Sequence, residues 1–324
     1  MTSASVANMA ELESALTAGS RNITLTADIN NGEYHYLVDA SISNCRINLN
    51  GHLLKSVAFG NGFSSTVGER LEIVGPGKCG QISWNGAWSD VIVRDLEAFG
   101  PGLQDGVGDV HAFGYSETTQ EITRIAFINV YAACGSEFWI GTSRDLYVFN
   151  CNITTGLITP RPENDEAWGF RNAINSKGYT IYVDCIIEGV RFHRIRQHGG
   201  SEDMYTFIDR CEFRDAVESR IYERSMHSGI GTLGYHAVWA RNITIYATGG
   251  SANWVCDYTE PGAPTGYVRY ENFTVYSDTF TSQDNFQYSG NVNGAKTGTW
   301  SFNVYTTPPA WGSPGDPTTI TWDI

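Results

Sequence analysis

The sequence has little charge and very little lysine. Charged residues make up 17% of the chain, and its 21 basic residues include only four lysines against 35 acidic residues. The resulting net charge of −14 argues against a general nucleic-acid-binding role, because contacts with phosphate need a basic surface. The low charge, with 13% aromatic residues and 35 glycines, also argues against disorder or a coiled coil and is typical of an all-β protein with many turns.

Long apolar runs are missing as well. No stretch of about 18 apolar residues is present, so we expect no membrane insertion. The first residues lack a basic segment followed by an apolar core, so we expect no secretory leader. Seven cysteines, an odd number spread through the chain, do not make a disulfide framework, and we expect reduced, buried thiols. We expect no cofactor and no metal ion.

A degenerate repeat is the main feature that is present. Its unit is a short apolar run, then Asn or Asp, then a second short apolar run. Intervals of 34, 21, 34, 25, 33 and 30 residues separate the polar positions, which are Asp95, Asn129, Asn150, Asp184, Asp209, Asn242 and Asn272. Units of this length cannot bury a face alone, so they must stack as coils. Asn and Asp suit the corners between strands, because they tolerate the left-handed backbone conformation.

The remaining segments predict how the coil stack begins and ends. Residues 23–27, 45–49 and 71–73 alternate apolar and polar side chains, as strands with one buried face do. We therefore expect coils over residues 21–279, and a final coil with a β-rich cap over residues 280–324.

A short helix is predicted just before the first coil, within residues 1–20. Asn8 is a suitable N-cap and Glu11 follows three residues later. Met9, Leu12 and Leu16 then follow helical spacing, and Gly19 ends the run. Such a helix would cover the open apolar end of the stack.

In these features the chain resembles the pectin-lyase-like β-helix superfamily over roughly residues 5–278. The resemblance rests on the helix leading into Asn22-Ile-Thr-Leu25 and on the coils centred on Asn129, Asn150, Asp184 and Asp209. It implies an all-β fold, a right-handed parallel β-helix with an N-terminal capping helix. The superfamily includes pectate lyases, polygalacturonases and many phage tailspikes, so the fold alone does not define the activity. Phage β-helices are usually homotrimers, and the resemblance therefore implies a homotrimer.

The catalytic motifs of the enzymes in this superfamily are missing. Polygalacturonase-like enzymes carry aspartates in Asn-Thr-Asp, Asp-Asp and Gly-His-Gly motifs, and the nearest stretch here, residues 135–143, lacks those aspartates. The Arg-x-Pro-x-x-Arg element of pectate lyases is absent as well. No catalytic site is therefore carried over from either family.

A cluster of arginines is the strongest candidate site. It comprises Arg191, Arg194, Arg196, Arg210, Arg214, Arg220 and Arg224. An offset of 29 or 30 residues between coils would stack Arg191 near Arg220 and His193 near Tyr222. A cationic stripe of this kind suits the carboxylates of an acidic polysaccharide. The alternative is an ion-pair ladder, because the same window holds seven acidic residues.

Lyase chemistry would give these residues distinct roles. It needs a cation to neutralise the uronate, a base for the C5 proton and an acid for the leaving oxygen. The candidate catalytic residues are His193, Arg194, Arg196, Tyr222 and Glu223. The candidate substrate-binding residues are Arg191, Arg220, Arg224, His227, Trp168 and Arg171.

Two further segments carry weaker signals. Residues 160–171 combine Glu163, Asp165 and Glu166 with Trp168, which suits a glycosidase carboxylate pair beside an aromatic ring or, alternatively, an acidic surface loop. Residues 102–111 include Asp105, Asp109 and His111, too few ligands for a calcium loop, and predict a structural turn.

Three functions remain open. The first is a phage tailspike-type protein that binds a host cell-surface polysaccharide and, in one version, cleaves it. The second is a non-enzymatic structural virion protein, such as a capsid decoration protein or an appendage. The third is a cellular polysaccharide lyase or glycoside hydrolase. The first two imply a virion location and other virion proteins as partners, whereas the third implies an extracellular one.

Overall fold

The chain forms a parallel β-helix with a short helix near its N-terminus, which confirms the predicted fold class. The computed structural model describes residues 3–31, 36–38, 40–60, 67–100, 111–115, 122–134, 137–141, 143–155, 170–189, 193–214, 220–226, 236–247, 256–258, 266–277 and 288–289. The predicted cap over residues 280–324 therefore lies outside the described residues, apart from 288–289.

Strands account for nearly all of the described elements. The first elements are β1 (Ser3–Val6), α1 (Met9–Thr17), β2 (Asn22–Leu25), β3 (Ile29–Asn30), β4 (Tyr36–Val38), β5 (Ser43–Asn48), β6 (Leu53–Phe59), β7 (Val67–Val74) and β8 (Lys78–Trp84). The central strands are β9 (Ala87–Gly100), β10 (His111–Tyr115), β11 (Ile122–Cys134), β12 (Glu137–Gly141), β13 (Ser143–Phe149), β14 (Asn152–Thr155), β15 (Phe170–Val183) and β16 (Ile186–Gly189). The last strands are β17 (His193–Asp209), β18 (Glu212–Arg214), β19 (Arg220–Met226), β20 (His236–Ala247), β21 (Cys256–Tyr258), β22 (Gly266–Ser277) and β23 (Tyr288–Ser289).

The helix α1 begins and ends as the sequence predicts. Asn8 is the N-cap, and its side chain accepts a hydrogen bond from the backbone N–H of Glu11 at 3.0 Å. Glu11 in turn accepts a bond from the Asn8 side chain at 2.9 Å, which completes a capping box. Leu12 and Leu16 are buried, and Gly19 follows the helix with φ of +73°. The helix therefore packs its apolar side into the core at the start of the stack.

All strand pairings are parallel and run between successive coils, which gives the stack three faces. Face A contains β2, β5, β7, β13 and residues 87–94, 122–128, 178–183, 204–209, 236–241 and 266–271. Face B contains β3, β14, β16, β18 and residues 53–55, 78–80, 97–99, 131–133, 244–247 and 274–277. Face C contains β4, β10, β12, β19, β21, β23 and residues 57–59, 82–84, 170–172 and 193–199.

The interior of the stack is apolar and rich in aromatic rings. The rings of Phe113, Phe127 and Phe138 lie with centroids 4.9–5.3 Å apart, and Trp84 and Trp139 pack beside them. All five side chains are fully buried. Aromatic pairs at these separations add to the stabilisation that comes from removing their surface from water.

Face A is buried on both of its sides in the middle coils. In β2 and β5 the alternation predicted from sequence holds, with buried Ile23 and Ile47 between partly exposed neighbours. In the later coils the outward positions are also apolar and buried: Ile92, Ala126, Tyr147, Ile181 and Phe207 occupy one register position in successive coils. Continuous apolar runs are the pattern of parallel strands covered on both faces.

In six successive coils, the corner from face A to face B is turned by one residue with positive φ. Asp95, Asn129, Asn150, Asp184 and Asn242 adopt φ of 51–58° at this corner, as predicted. Their side chains bond from coil to coil. Asn129 donates to Asp95 at 2.8 Å and Asn150 donates to Asn129 at 2.8 Å. The amide ladder satisfies polar groups that the tight corner would otherwise leave unpaired.

One predicted corner is wrong by a residue. The left-handed position after Asp184 is Arg210, with φ of 51°, and not Asp209. The Arg210 guanidinium takes over the role of the corner amide by donating two hydrogen bonds to the Asp184 carboxylate, both at 2.7 Å. Asp209 is instead fully buried and accepts a bond from Asn242 at 2.8 Å. A bidentate contact with a carboxylate stabilises arginine in a conformation that its own preference does not favour.

A buried carboxylate joins three coils on the outward side of face A. Glu72 is 1% exposed and forms ion pairs with Arg46 and with Arg94, the latter at 2.5 Å. Removal of a buried charge that pairs with two others leaves those partners uncompensated.

Glu72→Gln should therefore destabilise the chain. We expect the free energy of unfolding, measured by urea unfolding followed by circular dichroism, to fall by about 2 kcal/mol. The matched control is Glu97→Gln, which removes an exposed carboxylate paired with Lys78 at 2.8 Å and should change the free energy by less than about 0.5 kcal/mol. Equal effects of the two substitutions would contradict the structural role of Glu72.

The cysteines whose side chains are described are free and buried, as predicted: Cys45, Cys79, Cys134, Cys151, Cys185 and Cys211. Cys151, Cys185 and Cys211 each follow a corner residue and occupy one register position in successive coils. Each thiol donates to the backbone carbonyl two residues before it, at 3.2–3.4 Å. Burial raises the pKa of Cys45 and of Cys134 to about 12.

The thiols should make stability fall in alkaline solution. Unfolded thiols ionise near their ordinary pKa of 9.0, whereas the folded ones at Cys45 and Cys134 stay neutral until about 12. Their contribution to stability is therefore complete below pH 9 and is lost as pH rises from 9 towards 12. In the folded chain at pH 8, mass spectrometry after treatment with a maleimide should show Cys45 and Cys134 unlabelled, and urea should expose both. Rapid labelling of either residue without denaturant would contradict this.

Candidate functional site

Face C carries every described residue to which the sequence assigns a catalytic or substrate-binding role. These residues belong to three neighbouring strands, β15, β17 and β19, and are Arg171, His193, Arg194, Arg196, Arg220, Tyr222, Glu223 and Arg224. The sequence had placed Arg171 in a separate candidate loop, and strand pairing brings its backbone beside the arginine cluster. Arg191, Trp168 and His227 lie outside the described residues, as do the carboxylates predicted at 163–166.

The register between β17 and β19 differs from the predicted one. His193 pairs with Arg220 and Ile195 pairs with Tyr222, which is an offset of 27 residues rather than 29 or 30. His193 and Tyr222 are therefore not register partners. The prediction failed because the length of the connection between faces B and C changes from coil to coil, so spacings taken at other positions do not carry over to face C.

A column of charged residues results from this register. Arg171 pairs with Arg196, Arg196 with Glu223, and Glu223 with Asp257. Parallel strands lie about 4.8 Å apart, so the four backbones are successive neighbours along the stack. Two basic residues followed by two acidic residues give this column a charge that changes sign along the axis.

Tyr222 occupies the neighbouring column. Its register partners are Ile195, Phe170 and Trp139, and Trp139 is fully buried. The column of Arg196 runs instead through Arg171, Ile140, Gly114 and Ser83 to Ala58. Adjacent columns in a strand lie on opposite faces of a sheet. The register thus groups Arg171, Arg196 and Glu223, and it does not add Tyr222 to that group.

The described members of the arginine cluster outside face C are engaged in ion pairs. Arg210 contacts Asp184, and Arg214 contacts Glu212 at 2.5 Å. Asp209, missed as a buried group by sequence reasoning, pairs with Arg210 and Arg241. The ion-pair alternative is therefore correct for this part of the cluster. A signal was available in the sequence, since Arg210 and Arg214 each lie within two residues of an acidic residue.

The longest connections between strands adjoin face C. Residues 101–110, 156–169 and 227–235 each precede or follow a strand of this face, whereas the corner between faces A and B takes at most four residues. Variable connections on a rigid scaffold are where binding residues concentrate.

The third sequence feature is only partly described. His111 begins β10 and pairs with Glu137, whereas Asp105 and Asp109 lie outside the described residues. Within the described part of the chain, no group of His, Cys, Asp and Glu side chains is arranged to hold a metal ion. In that part, too, no helix is long and apolar enough to cross a membrane.

The fold defines the class of protein. This chain is a parallel β-helix protein whose longest connections adjoin face C. No protein-family profile and no curated protein match the sequence. Among solved structures, that of L. reuteri 53608 SRRP is similar, with 13% identity and a TM-score of 0.46 over 84% of this chain and 98% of that chain. A likeness at this level carries no inference about what the chain binds.

Proposed function

We propose that face C binds an acidic polysaccharide and that the chain is a recognition protein of the tailspike type. The observation that carries the proposal is the register of β15, β17 and β19, which aligns Arg171 with Arg196 and places Arg220 and Arg224 on the next strand. Guanidinium groups bind carboxylates with two parallel hydrogen bonds. Four arginines on three neighbouring strands of one face suit a polymer that carries several carboxylates.

The charge of the whole chain also supports a local site. At a net charge of −14, an acidic polymer is repelled by most of the surface. The basic residues of face C therefore provide a local site at which such a polymer can bind. The proposal concerns binding, because the superfamily's catalytic motifs are missing from the sequence.

A non-enzymatic structural virion protein is the second candidate. The observation that favours it is the pairing of Arg210 and Arg214 with acidic neighbours. Arg196 and Glu223 are register partners, and an ion pair between them would make face C a structural ladder as well.

Arg196→Ala separates these two functions. If face C binds carboxylates, affinity electrophoresis in gels that contain polygalacturonate, alginate or hyaluronate should show at least about a tenfold loss of affinity, the size of one charge-assisted contact. The thermal unfolding midpoint should stay within about 2 °C of the parent. The matched control is Arg70→Ala on face A, whose exposed guanidinium pairs with Glu69 and which should bind as the parent does.

The same experiment can contradict the binding proposal. No retardation of the parent chain by any of the acidic polymers would do so. So would unchanged affinity of Arg196→Ala together with a clear drop in its unfolding midpoint, which would identify Arg196 as part of a structural ladder.

The tailspike type also predicts a homotrimer, since β-helices of that class usually assemble in threes. Sedimentation equilibrium of the full chain at micromolar concentration should give three times the monomer mass of 35.7 kDa. A monomer under these conditions would count against the tailspike type without affecting the test of carbohydrate binding.

A further inference from the structure

Face B carries an exposed aromatic side chain that the proposed function does not use. Tyr131 is 56% exposed and is the one large apolar residue in the described part of the chain with such exposure. It lies in the middle of β11, with Glu97 and Asn152 as its register partners on the neighbouring coils. A rigid strand therefore holds the ring at the surface.

A second aromatic ring lies on the same outward surface. Phe99 is half-buried, and its ring covers the backbone of Gly80, where an added methyl group would lie 3.0 Å from the ring. Phe99 pairs in register with Ala133, two residues beyond Tyr131, so the two rings are diagonal neighbours. Because the side chain of Ala133 is small, it does not project between the rings of Phe99 and Tyr131.

The strip between these rings carries no charge of its own, and the described charged residues near it are of both signs, including Lys55 two strands before Phe99 in the same column. On one side, Glu97 is neutralised by Lys78 at 2.8 Å. On the other, Asn152 and Thr154 are uncharged, Glu188 is the register partner of Thr154 on the next strand, and Arg214 with Glu212 at 2.5 Å follows on the strand after that. The strip from Phe99 to Thr154 thus offers aromatic surface and amide or hydroxyl groups within a charge-balanced border.

The face is also flat at this edge. The corner residues Asn129 and Asn150 are bonded to each other at 2.8 Å, and the corner admits no inserted residues in these coils. A straight ligand that runs along the stack therefore meets no obstruction from the side of face A.

We propose that this strip of face B, from Phe99 and Tyr131 to Asn152 and Thr154, binds an uncharged saccharide. The C–H faces of a pyranose ring are apolar and pack on aromatic rings, while its hydroxyls bond to amides and hydroxyls. The balanced charge favours a neutral sugar over an acidic one. A second protein chain is disfavoured, because stable protein interfaces bury roughly 800 Å² per partner around an apolar core, and one exposed ring does not supply that core.

The proposal does not depend on acidic polysaccharide binding at face C, and the two are tested separately. The parent chain is run in gels that contain cellohexaose-substituted polymer, maltohexaose-substituted polymer or dextran, at low and high salt. We expect retardation by at least one neutral probe, independent of salt, because no charge is involved. Tyr131→Ala should lose about tenfold in affinity, the size of one aromatic contact, whereas Tyr131→Phe should retain the parent affinity within about twofold.

Several results would overturn the proposal. It fails if no neutral probe retards the parent chain, or if Tyr131→Ala binds as the parent does. It also fails if Tyr131→Ala lowers the sedimentation mass, because face B would then be a contact between copies of the chain. Arg70→Ala on face A serves as the control and should leave retardation by the neutral probe unchanged. The exposure of Tyr131 means that its removal should leave the unfolding midpoint in place.

Discussion

In six successive coils the chain passes from face A to face B through a single residue with positive φ, and the rest of the structure depends on that corner. Because the backbones of successive coils are hydrogen-bonded in register, one corner residue lies directly beside the next. Asn129 and Asn150 meet this demand with side-chain amides, and Arg210 meets it with a bidentate contact to Asp184. The same stacking aligns Cys151, Cys185 and Cys211 inside the wall. Similar residues recur at these positions because residues at one register position are neighbours in successive coils.

The three faces of the stack also differ in burial, in charge and in the connections beside them. Face A is buried on both sides in the middle coils, which removes it from contact with a ligand there. Face B stays flat, and its charged residues at Glu97 and Glu212 are paired. The longest connections adjoin face C, so additional residues are accommodated beside that face without disturbing the ladder. A scaffold of this kind keeps its register constant while its binding residues change.

The sequence predicted the fold well because the corners restrict residue type. Asn and Asp at Asn129, Asn150 and Asp184 mark a backbone conformation that few residues adopt, and the apolar runs beside them mark the strands. The corner position of Arg210 was not predicted, because arginine seldom adopts the left-handed conformation and Asp209, a more usual corner residue, precedes it. The offset on face C escaped prediction because connection lengths differ between coils. Only the strand register of the folded chain shows that Arg196 pairs with Glu223 and that Tyr222 lies in the next column.

The sequence alone determined the class of fold, the capping helix, five of the corner positions and the reduced state of the buried thiols, because each depends on local conformation or on composition. The tertiary structure decided which arginines are neutralised by neighbours and which share a column on face C. It also decided that Glu72 is buried between two arginines and that Tyr131 is exposed. These outcomes depend on which residues of distant coils become neighbours, and a one-residue change of register would alter them all.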